Sequence, residues 1–352
     1  MQNKLWYNKR VLVTGHTGFK GGWLSLWLKK MGADVHGIAL SPNTQPSFYE
    51  LTKIEDQIAG RLIDLNDYEA IKNAVLDIRP QVVFHLAAQP LVRKSYDEPI
   101  TTFSTNVMGT AHLLEACRAI SALEAVICIT TDKVYDNREW VWSYRENDSL
   151  GGKDPYSASK ACVEHLVNAY RSSFYNSLKV PIVTARGGNV IGGGDWGEER
   201  LVPDLVRAVG LNTPLEVRSP NSIRPWQHVL VLCHGYLALA EGALSEKLRD
   251  QSAWNFGPLE SDFVSVNKLL SIFKEVGYTH EIYLNSIEEK PESKILSLDS
   301  SLARAKLEWQ PELSLNEAVA WTAQWYQKAQ KGASMRDYTI SQIETYCKRL
   351  VR

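Results

Sequence analysis

Tyr156 and Lys160, in YSASK, stand four residues apart, a spacing that puts both side chains on one face of a helix. A nearby ammonium favours the phenolate and draws the tyrosine pKa down from about 10. The pair therefore predicts a base for a hydroxyl proton. Thr131, Asp132 and Lys133 follow the apolar run AVICIT and set a hydroxyl, an acid and a base in a row. Such a trio is either a plain salt-linked turn or part of an active site. A third stretch, VLVTGHTGFKGG, spaces Gly15, Gly18 and Gly21 as GxxGxxG. Glycines let the backbone turn tightly and approach a pyrophosphate, whose charge then meets free N–H groups at a helix N-terminus.

The elements that must position these groups can be read from periodicity. Short β-branched runs at 10–14, 34–40, 59–65, 81–87, 125–130 and 180–185 alternate with helical stretches near 19–31, 67–79, 98–120 and 155–178. Strands alternating with helices indicate βαβ units, and apolar runs without period-2 alternation suit a parallel sheet covered on both faces. Residues 1–186 are thus expected to form a doubly wound α/β domain of the Rossmann type. Ligands of such sheets bind beyond the carboxyl ends of the strands, where VTGHTGF, HLAAQ and TTDK all fall. After Arg186 the texture changes to turn residues, Trp and Arg, as in GGNVIGGGDWGEER and VRSPNSIRPWQHV. Residues 187–352 are expected to be mainly a smaller substrate-binding lobe, with segments near 229–257 returning to the first domain.

Composition narrows the possibilities. The chain has 352 residues, 44% of them hydrophobic, and a formal charge of -1. Nothing in that balance suggests a grip on nucleic acid or an acidic membrane, while a few local arginines can still hold a small anion. The five cysteines are scattered without CxxC spacing, which supports neither a disulfide framework nor a zinc site and fits a reducing cytoplasm. No histidine pattern suggests a metal, and His85 reads as a packed, hydrogen-bonded strand residue. The polar start MQNKLWYNKR does not look like a signal peptide, and no run approaches the ~20 apolar residues of a membrane span.

The glycine loop, with Thr17 and Phe19 inside it, is expected to hold a dinucleotide. The second strand ends at Ser41, where an acid commonly meets an adenosine ribose; no Arg or Lys lies between residues 40 and 52 to hold a 2′-phosphate, so NAD is expected over NADP. Asp64, followed by Leu65, suits either an adenine contact or a cap shared with Asn66. Ala87, Ala88, Gln89 and Asn106 are expected at the cofactor crevice, although a buried amide satisfying backbone groups would explain Gln89 or Asn106 equally. Lys20 reads as a solvated lysine, and His16 as a ring crowding the loop.

Taken together, TGHTGFKG, HLAAQP, STNVMGT, TTDKVYDN, DPYSASK, RGGNVIGGGDW and SIRPWQHV resemble the extended short-chain dehydrogenase/reductase family. Within it they are similar to the nucleotide-sugar 4,6-dehydratases, and HTGFKG, AAQPLVRKSY, DKVYDNREWVW, GGGDW and IRPWQHV most resemble those acting on CDP-glucose. The resemblance implies a nucleotide-diphosphate sugar as substrate. It implies that Tyr156 deprotonates the C4 hydroxyl while NAD accepts a hydride that later returns to C6, with Thr131 bonded to the C4 oxygen and Lys160 holding the tyrosine and the nicotinamide ribose. A 4-ketone acidifies the C5 proton, and the elimination then needs an acid and a base side by side. By the resemblance Asp132 is the acid and Lys133 the base; the related dTDP-glucose enzymes carry Glu at the latter position. A neutral Lys133 and a protonated Asp132 would both require shifted pKa values, or the two could pass a proton through water as an ion pair.

The same resemblance places Asn189 and Arg224 on the diphosphate, a bidentate use suited to guanidinium, and Trp196, Arg218 and His228 on the substrate, where each could instead cap or pack. It implies a homodimer or higher oligomer through helices 98–120 and 155–178. Two rivals remain: a 4-epimerase or reductase, which has no need of an acid at 132, and a dinucleotide-sensing protein without turnover, which tends to lose the tyrosine or lysine present here.

Overall fold

A computed structural model describes residues 4–245, 248, 251–279, 281–284 and 295–351, so the first three residues of the polar N-terminal stretch lie outside it. Six strands come from the expected runs: β1 (Arg10–Thr14), β2 (Asp34–Ala39), β3 (Ala59–Leu62), β4 (Val82–His85), β5 (Ala125–Ile129) and β6 (Ile182–Gly187). With Ala253–Phe256 they form one seven-stranded sheet, ordered 253–256, β6, β5, β4, β1, β2, β3. Every pairing in it is parallel. The fold is the Rossmann-type α/β sheet that the alternation of runs predicts.

Continuous apolar runs are required because both faces of the sheet are buried. Val11, Val13, Val82, Phe84, Ile127 and Ile129 face a core shared with helices Phe19–Lys30, Val229–Leu244, Leu315–Gln330 and Met335–Arg349. Their sequence neighbours Leu12, Val83, Val126 and Cys128 face the opposite core, against helices Tyr68–Ile78, Gly109–Cys117 and Pro155–Tyr170. His85 lies fully inside this arrangement, bridging Thr14 Oγ1 at 2.7 Å and Thr110 Oγ1 at 2.9 Å. Burial lowers its pKa to about 3.

Three expected boundaries differ. The third strand ends at Leu62, because Asp64 turns the chain by accepting from the Asn66 backbone at 2.9 Å. The expected helices 98–120 and 155–178 are each broken by a five-residue π turn, Ser104–Met108 and Arg171–Tyr175. Turns of this kind recur at functional sites.

The chain crosses between β1 and β4 at the point where strand order reverses, opening a crevice above their carboxyl ends. Over that crevice sits a second layer made of helix Leu201–Leu211, strand Leu215–Val217 and the antiparallel pair Ile223–Pro225 with Phe263–Ser265. Helix Val229–Leu244 then packs back on the sheet, and Ala253–Phe256 extends its edge beside β6. Among the described residues, no helix is long and apolar enough to cross a membrane.

Candidate active site

The glycine loop joins β1 to helix Phe19–Lys30. Gly15 has φ +77°, and a Cβ there would stand 2.9 Å from the Ala87 nitrogen. A Cβ on Gly21 would lie 2.1 Å from the Gly15 carbonyl oxygen, so only hydrogen lets the helix seat on the turn. Gly18 caps the helix without a side-chain hydrogen bond, leaving its first N–H groups directed at the crevice. Thr17 Oγ1 donates to the Leu40 carbonyl at 2.8 Å, which fixes the loop against the end of β2. The Ala87 N–H donates to Thr14 Oγ1 at 3.1 Å, which places Ala87 and Ala88 at the mouth of β4.

His16 does not crowd this loop. Its ring is fully buried under it, in space left by Gly37 and Gly60, and burial lowers its pKa to about 4. Asp64 is occupied by its turn with Asn66, whose backbone and side-chain nitrogens both donate to it; helix Tyr68–Ile78 is capped by Asp67 instead. Leu65 is buried, and it fills the space that a Cβ on Gly109 would need. Gln89 and Asn106 serve the backbone. Asn106 accepts from the Gln89 N–H at 2.8 Å and donates to Ser159 Oγ at 2.9 Å, while the Gln89 side chain binds Leu91 and Thr102. They shape the crevice wall without offering it free donors.

The proton-handling groups meet in one cleft of about 360 Å³, within the ~300–1,000 Å³ of small-ligand sites. Thr131, Asp132, Lys133 and Tyr156 line it together with Phe19 and Lys20. Thr131 begins a short 3-10 turn over Asp132–Val134, its hydroxyl accepting from the Lys133 N–H at 3.3 Å and donating to Asp132 Oδ1 at 3.0 Å. The other carboxyl oxygen, Oδ2, is buried and takes no hydrogen bond among the described residues. Burial raises the Asp132 pKa, against the opposing charges of Lys133 and Arg224. Burial thus works toward the proton-bearing form of this carboxyl, while its neighbours work against it. Gly188 leaves room for it, since a Cβ there would stand 3.3 Å from Oδ2.

The tyrosine departs from expectation. Burial pushes the Tyr156 phenol up to about 12, only partly offset by a hydrogen bond with Thr131. The Lys160 ammonium points past it, donating to the Ile129 carbonyl at 3.2 Å. Burial, with the neighbouring Lys20 charge, lowers Lys160 to about 8. Desolvation outweighs the charge effect read from the four-residue spacing.

Lys20 is not a solvated lysine. Burial first, and then the Arg200 charge, lowers its pKa to about 8. The sequence signal was the run GGWLSLWL, apolar around the whole helix, which leaves Lys20 half-buried at the mouth of the cleft. Arg200, missed in the sequence, donates from the single nitrogen Nη1 to both carboxyl oxygens of Asp195 at 3.0 Å and lines the same cleft. Arg93 faces Glu199 at 3.5 Å across the opening. The cleft lining mixes the cations Lys20, Arg93, Lys133, Arg200, Arg218 and Arg224 with the acids Asp132, Asp195, Glu199, Asp204 and Glu216, and Arg93, Arg200 and Arg218 pair with Glu199, Asp195 and Glu216.

Of the expected substrate-side residues, Asn189, Arg218 and Arg224 line the cleft. Trp196 and His228 do not. Trp196 packs edge-on against Tyr326, with ring centroids 5.2 Å apart. His228 is fully buried between Trp23 and Trp321. Its Nδ1 accepts from the Leu230 N–H at 3.2 Å as a helix cap, and burial lowers its pKa to about 3. Among the described residues no group of His, Cys, Asp or Glu could hold a metal ion.

Comparison with known proteins agrees with this geometry. The family model for GDP-mannose 4,6 dehydratase matches residues 12–322. A CDP-glucose 4,6-dehydratase of Salmonella typhimurium is 44% identical over 352 residues, 98% of this chain and 98% of that one. A dTDP-glucose 4,6-dehydratase of Haemophilus influenzae is 25% identical over 90% of this chain and 97% of its own. Among solved structures, a UDP-glucose 4-epimerase of Thermus thermophilus in complex with NAD superposes with a TM-score of 0.79 at 25% identity, covering 91% of this chain and 99% of the other.

Proposed function

Because the chain belongs to the GDP-mannose 4,6-dehydratase family, we propose that it is an NAD-dependent hydro-lyase that converts CDP-glucose to CDP-4-dehydro-6-deoxyglucose and water. The observation that carries this reading is the buried, proton-favouring Asp132 beside Lys133 in the same cleft as Thr131 and Tyr156. An epimerase needs no acid there.

The cradle of Gly15, Gly18 and Gly21 fits a dinucleotide, since any Cβ at Gly15 or Gly21 would collide with backbone. When bound, NAD would take a hydride from C4 and return it to C6. The protein's own groups move the protons. Tyr156 takes the C4 hydroxyl proton, which requires that cationic neighbours offset the burial that holds its phenol near 12. Arg200 is the cation whose charge already opposes that burial. Thr131 aligns the C4 oxygen with the phenol. Lys133, as the amine, takes the C5 proton made acidic by the new ketone, while Asp132 gives its proton to the C6 hydroxyl, which leaves as water. Lys133 then returns a proton to C5, and the proton taken by Tyr156 passes through solvent to Asp132, which restores both groups. Arg218, Arg224 and Asn189 hold the diphosphate.

In this reading residues 1–186, with 229–257, hold the cofactor, and most of the remainder holds the nucleotide. We further infer a cytoplasmic homodimer through the helical segments 98–120 and 155–178, which leave Ile100 84% and Met108 51% exposed.

Incubation with CDP-, dTDP-, GDP- and UDP-glucose, followed by NMR, tests the assignment. A 4-keto-6-deoxy product from CDP-glucose alone is expected; a C4 epimer would overturn it.

A further inference from the structure

The turn that carries Asp132 and Lys133 is held at both ends by a single ion pair that does not line the cleft. Just before the turn, Thr130 Oγ1 donates to Glu164 Oε1 at 2.5 Å. Just after it, the Tyr135 hydroxyl accepts from Arg186 Nη1 at 2.8 Å. Glu164 and Arg186 form a two-pronged pair, Nε to Oε1 at 3.0 Å and Nη2 to Oε2 at 2.8 Å, with side chains only 4% and 3% exposed. Thr184 Oγ1 adds a further bond to Glu164 Oε2 at 2.7 Å, and the Tyr135 hydroxyl donates a hydrogen bond to Asn255 Oδ1 at 2.7 Å.

Glu164 stands one helical turn beyond Lys160, on the helix that also carries Tyr156. The pair therefore sets the register between the helix used for oxidation and the turn used for elimination. A buried ion pair is weak support for stability, since apolar side chains of similar volume often serve as well. What apolar replacements could not do is bind Thr130 and Tyr135 at once.

We propose that Glu164 and Arg186 are positioning residues for the elimination step, holding Asp132 and Lys133 over C6 and C5 of a sugar already placed by Tyr156 and Thr131. This role rests on the dehydratase reading above. Misplacing a reacting group by about 1 Å can cost on the order of 10²-fold in rate, so the expected signature is a selective loss. Oxidation should persist while water loss slows.

The test uses Thr130→Val and Tyr135→Phe, singly and together, because Glu164→Gln would strand a buried guanidinium and endanger folding. Each replacement removes one hydroxyl and keeps the packing shape, Tyr135→Phe giving up the bond to Asn255 along with that from Arg186. In single turnovers with NAD and CDP-glucose, the rate of cofactor reduction and the rate of water loss are followed separately, with CDP-glucose affinity and thermal midpoint measured alongside. We expect the double variant to reduce cofactor within about threefold of the native rate, to lose water about 10- to 100-fold more slowly, and to bind CDP-glucose unchanged. Equal slowing of both steps, or of neither, would overturn the positioning role while native water loss upheld the activity. Absence of water loss in the native protein would remove both.

Discussion

Replacing Asp132 by Asn is the sharpest perturbation of the proposed chemistry. The carboxyl is 3% exposed, its Oδ1 accepts from Thr131 at 3.0 Å, and its Oδ2 is buried against Gly188. An asparagine of the same shape keeps the Oδ1 bond but has no proton to give. It also puts an amide where Oδ2 was, leaving one buried polar atom without a partner as before, so stability should change by no more than about 1–2 kcal/mol. Loss of a positioned general acid removes roughly 10²–10⁴ in rate, which at about 1.4 kcal/mol per decade is close to 3–5 kcal/mol of barrier. Lys133 remains, so the C5 proton is still exchanged. In deuterated water the D132N protein with NAD and CDP-glucose should place deuterium at C5 of a sugar that keeps its C6 hydroxyl, while the 6-deoxy product appears ~10²–10⁴ times more slowly. Water loss at the native rate would refute Asp132 as the acid. Loss of C5 exchange together with water loss would refute the division of labour between it and Lys133.

Lys133→Ala should show the complementary pattern, with C5 exchange abolished by NMR and NAD binding retained by calorimetry. Tyr156→Phe should lower cofactor reduction by about 10²–10⁴-fold with little change in CDP-glucose affinity, as read by stopped-flow absorbance and titration. Gly21→Ala would press a methyl to 2.1 Å from the Gly15 oxygen; dinucleotide binding should fall below detection in calorimetry, with a destabilisation of about 1–3 kcal/mol in denaturant unfolding. For Lys20, folding lowers the pKa from 10.5 to about 8, equivalent to roughly 3 kcal/mol at most. The folded protein then binds that proton less tightly than the unfolded chain, so the penalty is full below about pH 8 and is relieved as pH rises toward 10.5. Ligand-free Lys20→Met should therefore be more stable than the native protein at pH 7, and the gap should narrow by pH 10 in parallel urea titrations.

What could be read along the chain was whatever depends on local order. Apolar runs of strand length marked β1, β2, β4, β5 and β6, because a strand buried on both faces has no other composition open to it, whereas β3 lies at the sheet edge with Leu62 63% exposed. Glycine spacing after β1 marked the dinucleotide turn, since a hydrogen in place of Cβ is a local requirement. YSASK and TTDK marked the proton-handling groups by residue type and spacing. The π turns were not legible, because STNVM at 104–108 and RSSFY at 171–175 hold no Pro or Gly to mark a break in the helix. Tertiary structure alone decided the electrostatics and the wiring. Lys20 and Lys160 are lowered, and Tyr156 is raised, by burial among neighbours far away in the chain. Trp196 and His228 carry polar atoms that look suited to a ligand until packing turns their rings inward. The bond from Glu164 to Thr130, 34 residues away, and that from Arg186 to Tyr135, 51 residues away, join segments with no common pattern in sequence. Residue type and short spacing determine which chemistry is possible, whereas desolvation and the angle of approach between distant segments determine which groups carry it out.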